Sequence, residues 1–199
     1  MRVLIIGASG TLGSHIVDDL KNDFEIIQVS KSKSNIHVDI TSTESIKEMY
    51  RKVGKIDAVV SAAGAAHFGL VKEITPELND IALRSKLAGQ VNLVLLGQEY
   101  VNDYGSFTLT TGILMDDPIL GGASAAMANG GIRAFVKSAA IEMPRGIRIN
   151  SVSPTILSES IEKYGNLFNG FEPVSGKRVA TVYRKSIQGA QTGQSYEIY

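Results

Sequence analysis

The chain has 199 residues, 44% of them hydrophobic, and its twenty lysines and arginines balance twenty aspartates and glutamates. This length suits one domain with a full apolar core, and zero net charge removes the electrostatic signature of a nucleic-acid or anionic-membrane partner. The absence of cysteine excludes disulfides, thiolate metal sites and cysteine nucleophiles together. No apolar run reaches membrane-spanning length and no signal-peptide region precedes Arg2, so a soluble, cytoplasmic protein is expected.

In chain order, Val3-Leu4-Ile5-Ile6 predicts a buried strand that breaks into Gly7-Ala8-Ser9-Gly10-Thr11-Leu12-Gly13 and then into a helix over Ser14–Leu20. A strand ending in glycines at a helix start gathers free backbone amides at the positive end of the helix dipole, where a phosphate or pyrophosphate fits. The spacing is G-x-x-G-x-x-G rather than G-x-G-x-x-G, so the context carries much of the signal. Phe24–Val29 predicts the second strand and Ile36–Val38 a short third. Thr41 with Glu44 forms a capping box opening a helix over Ser42–Lys52. Asp57–Val60 predicts the fourth strand, ending in Ser61-Ala62-Ala63-Gly64. Thr75-Pro76 caps a long helix reaching Asn102. A fifth strand follows at Ser106–Thr110, a helix rich in small residues at Ala123–Met143, and a strand at Ile147–Val152. Helical pieces at Ser158–Tyr164 and Gly176–Gln188 precede a last strand, Ser195–Ile198.

Short apolar strands alternating with helices predict an α/β fold, a doubly wound parallel sheet forming one Rossmann-type domain over residues 1–199. Ligands of such sheets sit beyond the carboxyl ends of the strands. The candidate cofactor residues are therefore Gly7, Ser9, Gly10, Thr11, Leu12 and Gly13 after the first strand, Ser30 and Lys31 after the second, and Asp39 with Ile40 after the third. Ala62, Ala63 and Gly64 follow the fourth strand, Thr110 the fifth, and Pro154 with Thr155 the sixth. An NAD site wants a carboxylate about twenty residues past the glycines, at the end of the second strand. Ser30-Lys31-Ser32-Lys33 stands there instead, and a lysine between hydroxyls suits a 2′-phosphate. The expectation is NADP(H) rather than NAD(H).

The glycine turn, Asp39-Ile40, Ala62-Ala63-Gly64 and the string from Arg145 to Pro154 together resemble the short-chain dehydrogenase/reductase family. The resemblance implies that the turn holds the pyrophosphate, Asp39 contacts the adenine and the Pro154 region lies beside the nicotinamide. It also implies a small-molecule carbonyl or alcohol substrate and a homodimer or homotetramer. The family's catalytic tyrosine stands four residues before a lysine, and none of the seven tyrosines here has that partner. Counting back from Arg148-Ile149-Asn150 puts Ala125 at the tyrosine position and Asn129, a further cofactor candidate, at the lysine position. The family's serine falls at Thr111 or Gly112, and its asparagine at Lys86.

Three readings accommodate these changes. Lys86 supplies the missing charge while Thr111 hydrogen-bonds the substrate; or Tyr164, in the loop expected over the nicotinamide, takes the tyrosine's place; or the protein binds the nucleotide without turnover. An NAD-linked epimerase fits less well, given the short C-terminal region. His15, His37 and His67 lack partners at ligand spacing, so no metal is assigned. Asp116-Asp117 before Pro118 reads as a solvated turn, and the bare face around Gly121–Gly131 as a place of close helix approach.

Overall fold

Arg2–Ile6 forms β1 and buries Val3, Leu4, Ile5 and Ile6 almost completely, as a strand does only when both faces of its sheet are covered. The computed structural model describes residues 1–199. The remaining strands are β2 (Glu25–Ser30), β3 (Ile36–His37), β4 (Ile56–Ser61), β5 (Val101–Thr110), β6 (Arg148–Pro154) and β7 (Ser195–Ile198). They lie in one sheet in the order β3-β2-β1-β4-β5-β6-β7, every neighbouring pair parallel. The order reverses between β1 and β4, which opens a crevice at their carboxyl ends.

The helices are α1 (Thr11–Leu20), α2 (Thr43–Val53), α3 (Pro76–Ile81), α4 (Gln90–Gly97), α5 (Ala123–Ala139), α6 (Ile161–Tyr164) and α7 (Gly176–Gln188). The period-two alternation of the strands divides the core between two helical layers. Leu4, Ile6, Val59, Phe107 and Ile149 share one apolar cluster with Tyr50 of α2, Leu93 of α4 and Val136 of α5. Val3, Ile5, Val60 and Val152 share the other with Ile16 of α1 and Val179 and Tyr183 of α7. This is the doubly wound arrangement that the strand–helix alternation predicts.

Four local expectations are corrected. The long helix after Thr75 ends at Gly97, and its middle, Ala82–Gly89, is π-helical. β5 starts at Val101 because the sheet recruits the chain early: Tyr100 accepts from the Ile56 amide, and Asn102 Nδ2 donates to Asp57 at 2.8 Å. α5 ends at Ala139 rather than Met143, and Pro144 opens a separate short turn. The cap of α2 is Ser42, whose Oγ accepts from the Ser45 amide at 3.2 Å, while Thr41 is held by Asp39.

Tyr50 joins α2 to α4. Its fully buried hydroxyl donates to the Leu93 carbonyl at 2.7 Å and its ring stacks on Tyr100 at 5.2 Å. Tyr50→Phe removes only that hydrogen bond and is expected to cost about 1 kcal/mol. The urea midpoint should fall with an unchanged slope; an unaltered midpoint would show that the bond contributes nothing.

Candidate active site and cofactor groove

The turn between β1 and α1 is closed by close backbone contact. Gly7 has φ +84°, and a Cβ there would lie 2.7 Å from the Ala62 carbonyl oxygen; a Cβ on Gly13 would lie 2.0 Å from that of Gly7. Glycine at both places lets the first turn of α1 rest on the ends of β1 and β4. Gly10 caps α1 without a side chain, and the amides of Ser9, Thr11 and Leu12 find no acceptor in the chain. Three unsatisfied donors at a helix start favour an anion.

A cavity of about 270 Å³ opens beside this turn, lined by Gly7, Ser30, Lys31, Asp39, Ile40, Ala63 and Gly64 among others. Four sequence-predicted segments, the ends of β1, β2, β3 and β4, thus converge on one groove. Asp39 accepts from the Thr41 hydroxyl at 2.7 Å and amide at 3.0 Å, and pairs with Lys31 Nζ at 2.9 Å. These donors, Thr41 first, hold its carboxyl down at about 2. The Ser30 hydroxyl accepts from the Lys33 amide and from Ser34 Oγ, so it shapes the loop that carries Lys31.

A second cavity, about 430 Å³, shares Gly64 and Ala65 with the first and is lined by Lys86, Thr111, Gly112, Asn129, Pro154 and Thr155. Phe68, Ile113, Leu114, Ile156, Tyr164 and Phe168 complete it with apolar surface. Gly64, at φ +143°, lies so close to the π-helical segment that a Cβ would meet Lys86 Cα at 3.0 Å. The missing side chain lets the stem of Lys86 pass, and its ammonium makes no hydrogen bond or ion pair. Burial lowers its pKa to about 8. Thr111 Oγ1 makes only a long bond of 3.3 Å, to the Val152 carbonyl. Asn129 Nδ2 donates to Gly112 at 3.1 Å, while the buried Asn129 Oδ1 and Thr155 Oγ1 have no partner.

Not every expected residue reaches the groove. The Thr110 hydroxyl lies 2.5 Å from both the Ser61 carbonyl and Tyr183 Oη, and its backbone is bracketed by Gln90, so it faces α7. Ala62 packs in the core beneath Gly7. The small face of α5 serves contact within the chain, where Gly131 presses on Leu87 of the π-helical segment.

The family model described as enoyl-(acyl carrier protein) reductase matches residues 11–183. The chain belongs to the short-chain dehydrogenase/reductase family. No curated protein matches the sequence. Among solved structures, the protein lin1944 from Listeria innocua is 57% identical over 100% of both chains, with a TM-score of 0.99. A small-chain dehydrogenase solved in complex with NADPH is 22% identical over 100% of this chain and 96% of its own, with a TM-score of 0.90. A short-chain dehydrogenase from Mycobacterium smegmatis is also 22% identical, over 100% and 91% of the two chains, with a TM-score of 0.83.

α5 turns buried Ala125 and Asn129 into the second cavity. Lys86 enters the same cavity from the opposite wall, and Tyr164 stands over it with its ring 6.0 Å from that of Phe68. Tyr104 is exposed at the far end of β5.

Two groups behind the wall had no legible role in the sequence. Asp116 does lie in an exposed turn, but it is not free there: Arg133 grips both its oxygens at 2.6 and 2.8 Å and holds its carboxyl below the ordinary range. Tyr199 Oη contacts Asp116 at 2.8 Å and Ser153 Oγ at 2.9 Å, tying β6 to the Ile113–Leu114 wall. Burial pushes the phenol up to about 12, so it stays a neutral donor at neutral pH. Tyr199→Phe should lower stability by about 1 kcal/mol in urea unfolding; a parent-like midpoint would mean the link is idle.

Proposed function

We propose that this protein is an NADP(H)-dependent oxidoreductase that interconverts a small carbonyl compound and its alcohol through a non-standard active site. One observation carries the reading: an unpaired lysine, Lys86, lines the same cavity as Ala125 and Asn129, the two positions that the sequence count assigns to the family's tyrosine and lysine.

The residues present fit the nucleotide. The free amides of Ser9, Thr11 and Leu12 suit the diphosphate, and the cavity from Gly7 to Gly64 suits the adenosine. The unpartnered buried atoms of Asn129 and Thr155 supply an acceptor and a hydroxyl for the polar edge of a nicotinamide. Lys31 faces the place of a 2′-phosphate. Its pair with Asp39 is exposed, contributes little stability and yields to a doubly charged oxygen cluster at small cost. The neighbour solved with NADPH shares the fold and supports the same choice. Exposed Val71, Ile81 and Met127 near α3 and α5 support a homodimer or homotetramer, and the reading keeps the protein in the cytoplasm with no nucleic-acid or membrane partner.

When bound, the reduced nucleotide supplies a hydride. Lys86, charged at pH 7, supplies the proton to the developing alkoxide, and Thr111 Oγ1 can exchange its long bond to Val152 for the substrate oxygen. A general acid contributes on the order of 10²–10⁴ in rate. Lys86→Ala is expected to lose that factor and Thr111→Ala a smaller one, measured as NADPH oxidation with a panel of aldehydes, ketones, oxo acids and enoyl thioesters. Reduction should be flat at lower pH and fall as pH rises through about 8, where Lys86 loses its proton. Lys86→Arg should move that limb upward, since guanidinium stays charged. Tight NADPH binding without turnover of any panel member would replace this reading with a nucleotide-binding regulator.

Lys31→Ala should weaken NADPH about tenfold and leave NADH unchanged, as measured by calorimetry. Equal losses for both coenzymes would remove Lys31 from the 2′-phosphate site.

A further inference from the structure

Lys86 is the only acid or base of full charge among the residues lining the second cavity, and no carboxylate lines it. Its neighbours there are apolar or neutral: Phe68, Ile113, Leu114 and Phe168 on the walls, Thr111 and Asn129 at the base. An ammonium drawn out of water without a counter-charge is unfavourable, and an anion seated beside it removes much of that cost. Asp116, which follows the lining residues Ile113 and Leu114 in the chain, is already held by Arg133 on both oxygens. Next to the lining residue Tyr164, Lys163 Nζ stands 5.0 Å from its ring centroid. The cavity is therefore an apolar pocket of positive potential, a form that selects a ligand with an apolar body and a negative head.

Resting on the oxidoreductase reading, we propose that the substrate class is the 2-oxo acids with a small apolar or aryl side chain, recognised by Lys86. An ammonium has three donors. In a 2-oxo acid the carboxylate and the ketone oxygen sit on adjacent carbons, so one ammonium reaches both: two N–H groups hold the carboxylate and the third faces the ketone. The same lysine then fixes the substrate and protonates it. A simple ketone offers no partner for the charge, and a 3-oxo acid places its carboxylate one carbon farther from the reacting oxygen. The rings of Phe68 and Tyr164, tilted against each other at 6.0 Å, give the lining aromatic surface on which a flat side chain can pack. The reaction balances as ketone plus hydride at carbon plus proton at oxygen. The carbon–oxygen double bond becomes a single bond, the nucleotide is oxidised, the product is a 2-hydroxy acid, and Lys86 recovers its proton from water.

The test is calorimetric binding of two probes, benzoylformate and its uncharged counterpart acetophenone, to the full chain with saturating NADP⁺, where no hydride is available. The expected result is benzoylformate binding at least tenfold tighter than acetophenone, the ratio collapsing toward one in Lys86→Gln and largely retained in Lys86→Arg. Equal binding of the probes by the parent overturns the proposal, as does a preference that survives Lys86→Gln. A Lys86→Gln variant that loses NADP⁺ affinity while keeping the probe ratio assigns the charge to the nucleotide and likewise overturns it. Failure of the parent to bind NADP⁺ at all would sink the oxidoreductase reading instead. The probes are then compared on the protein alone, where a Lys86-dependent preference supports the anionic recognition and its absence overturns it.

Discussion

The contact between the Gly7 carbonyl and the first turn of α1 leaves no room for a single methyl group, since a Cβ on Gly13 would stand 2.0 Å from that oxygen. The rest of the groove hangs on this approach. It brings α1 down onto the end of β1, turns the free amides of Ser9, Thr11 and Leu12 to one side, and lets Ala62 at the end of β4 cover Gly7. Because β1 and β4 are neighbours at the place where strand order reverses, the crevice and the helix dipole meet at one spot.

From that spot the groove runs both ways. Toward β2 and β3 it meets the Lys31–Asp39 pair, exposed enough to rearrange. Toward β5 and β6 it meets Lys86, Thr111, Asn129 and Thr155, a set whose hydrogen-bonding capacity is left incomplete on one face. The polar atoms that the fold does use are distributed differently. Thr108 and Thr110 point to the opposite face of the sheet, where Ser186 and Tyr183 satisfy them at 2.7 and 2.5 Å. Adjacent threonines on β5 and its end thus take opposite roles, Thr110 serving the core and Thr111 the cavity, because side chains alternate across a strand.

Buried Ala125 and Asn129 of α5 line the second cavity, and the π-helical turn at Ala82–Gly89 brings Lys86 into the same lining. Wide turns of this kind occur frequently at functional sites. Here the wide turn sits against Gly64, the one position after β4 whose missing side chain lets the lysine stem approach. Lys86 contributes the one charged side chain of that lining. On this wall it is flanked by apolar groups, and burial brings its pKa toward the range in which a lysine can exchange protons near neutrality.

Local chemistry in the sequence was enough to place the strands, to read the glycine turn as the tight break between β1 and α1, and to assemble the parallel sheet. These follow from hydrophobic period and from the backbone demands of single residues, which neighbours in the chain decide. The same logic reached the groove residues from Gly7 to Gly64 and from Thr111 to Thr155, since strand ends in such a sheet share one edge. Tertiary structure alone decided the rest. The helix after Thr75 yields its last turn to the sheet at Val101, Asp116 finds Arg133, Tyr199 returns to Ser153, and the π-helical turn aims Lys86 inward. Each of these depends on groups far apart in sequence whose approach no local preference encodes, so only the packed chain could fix them.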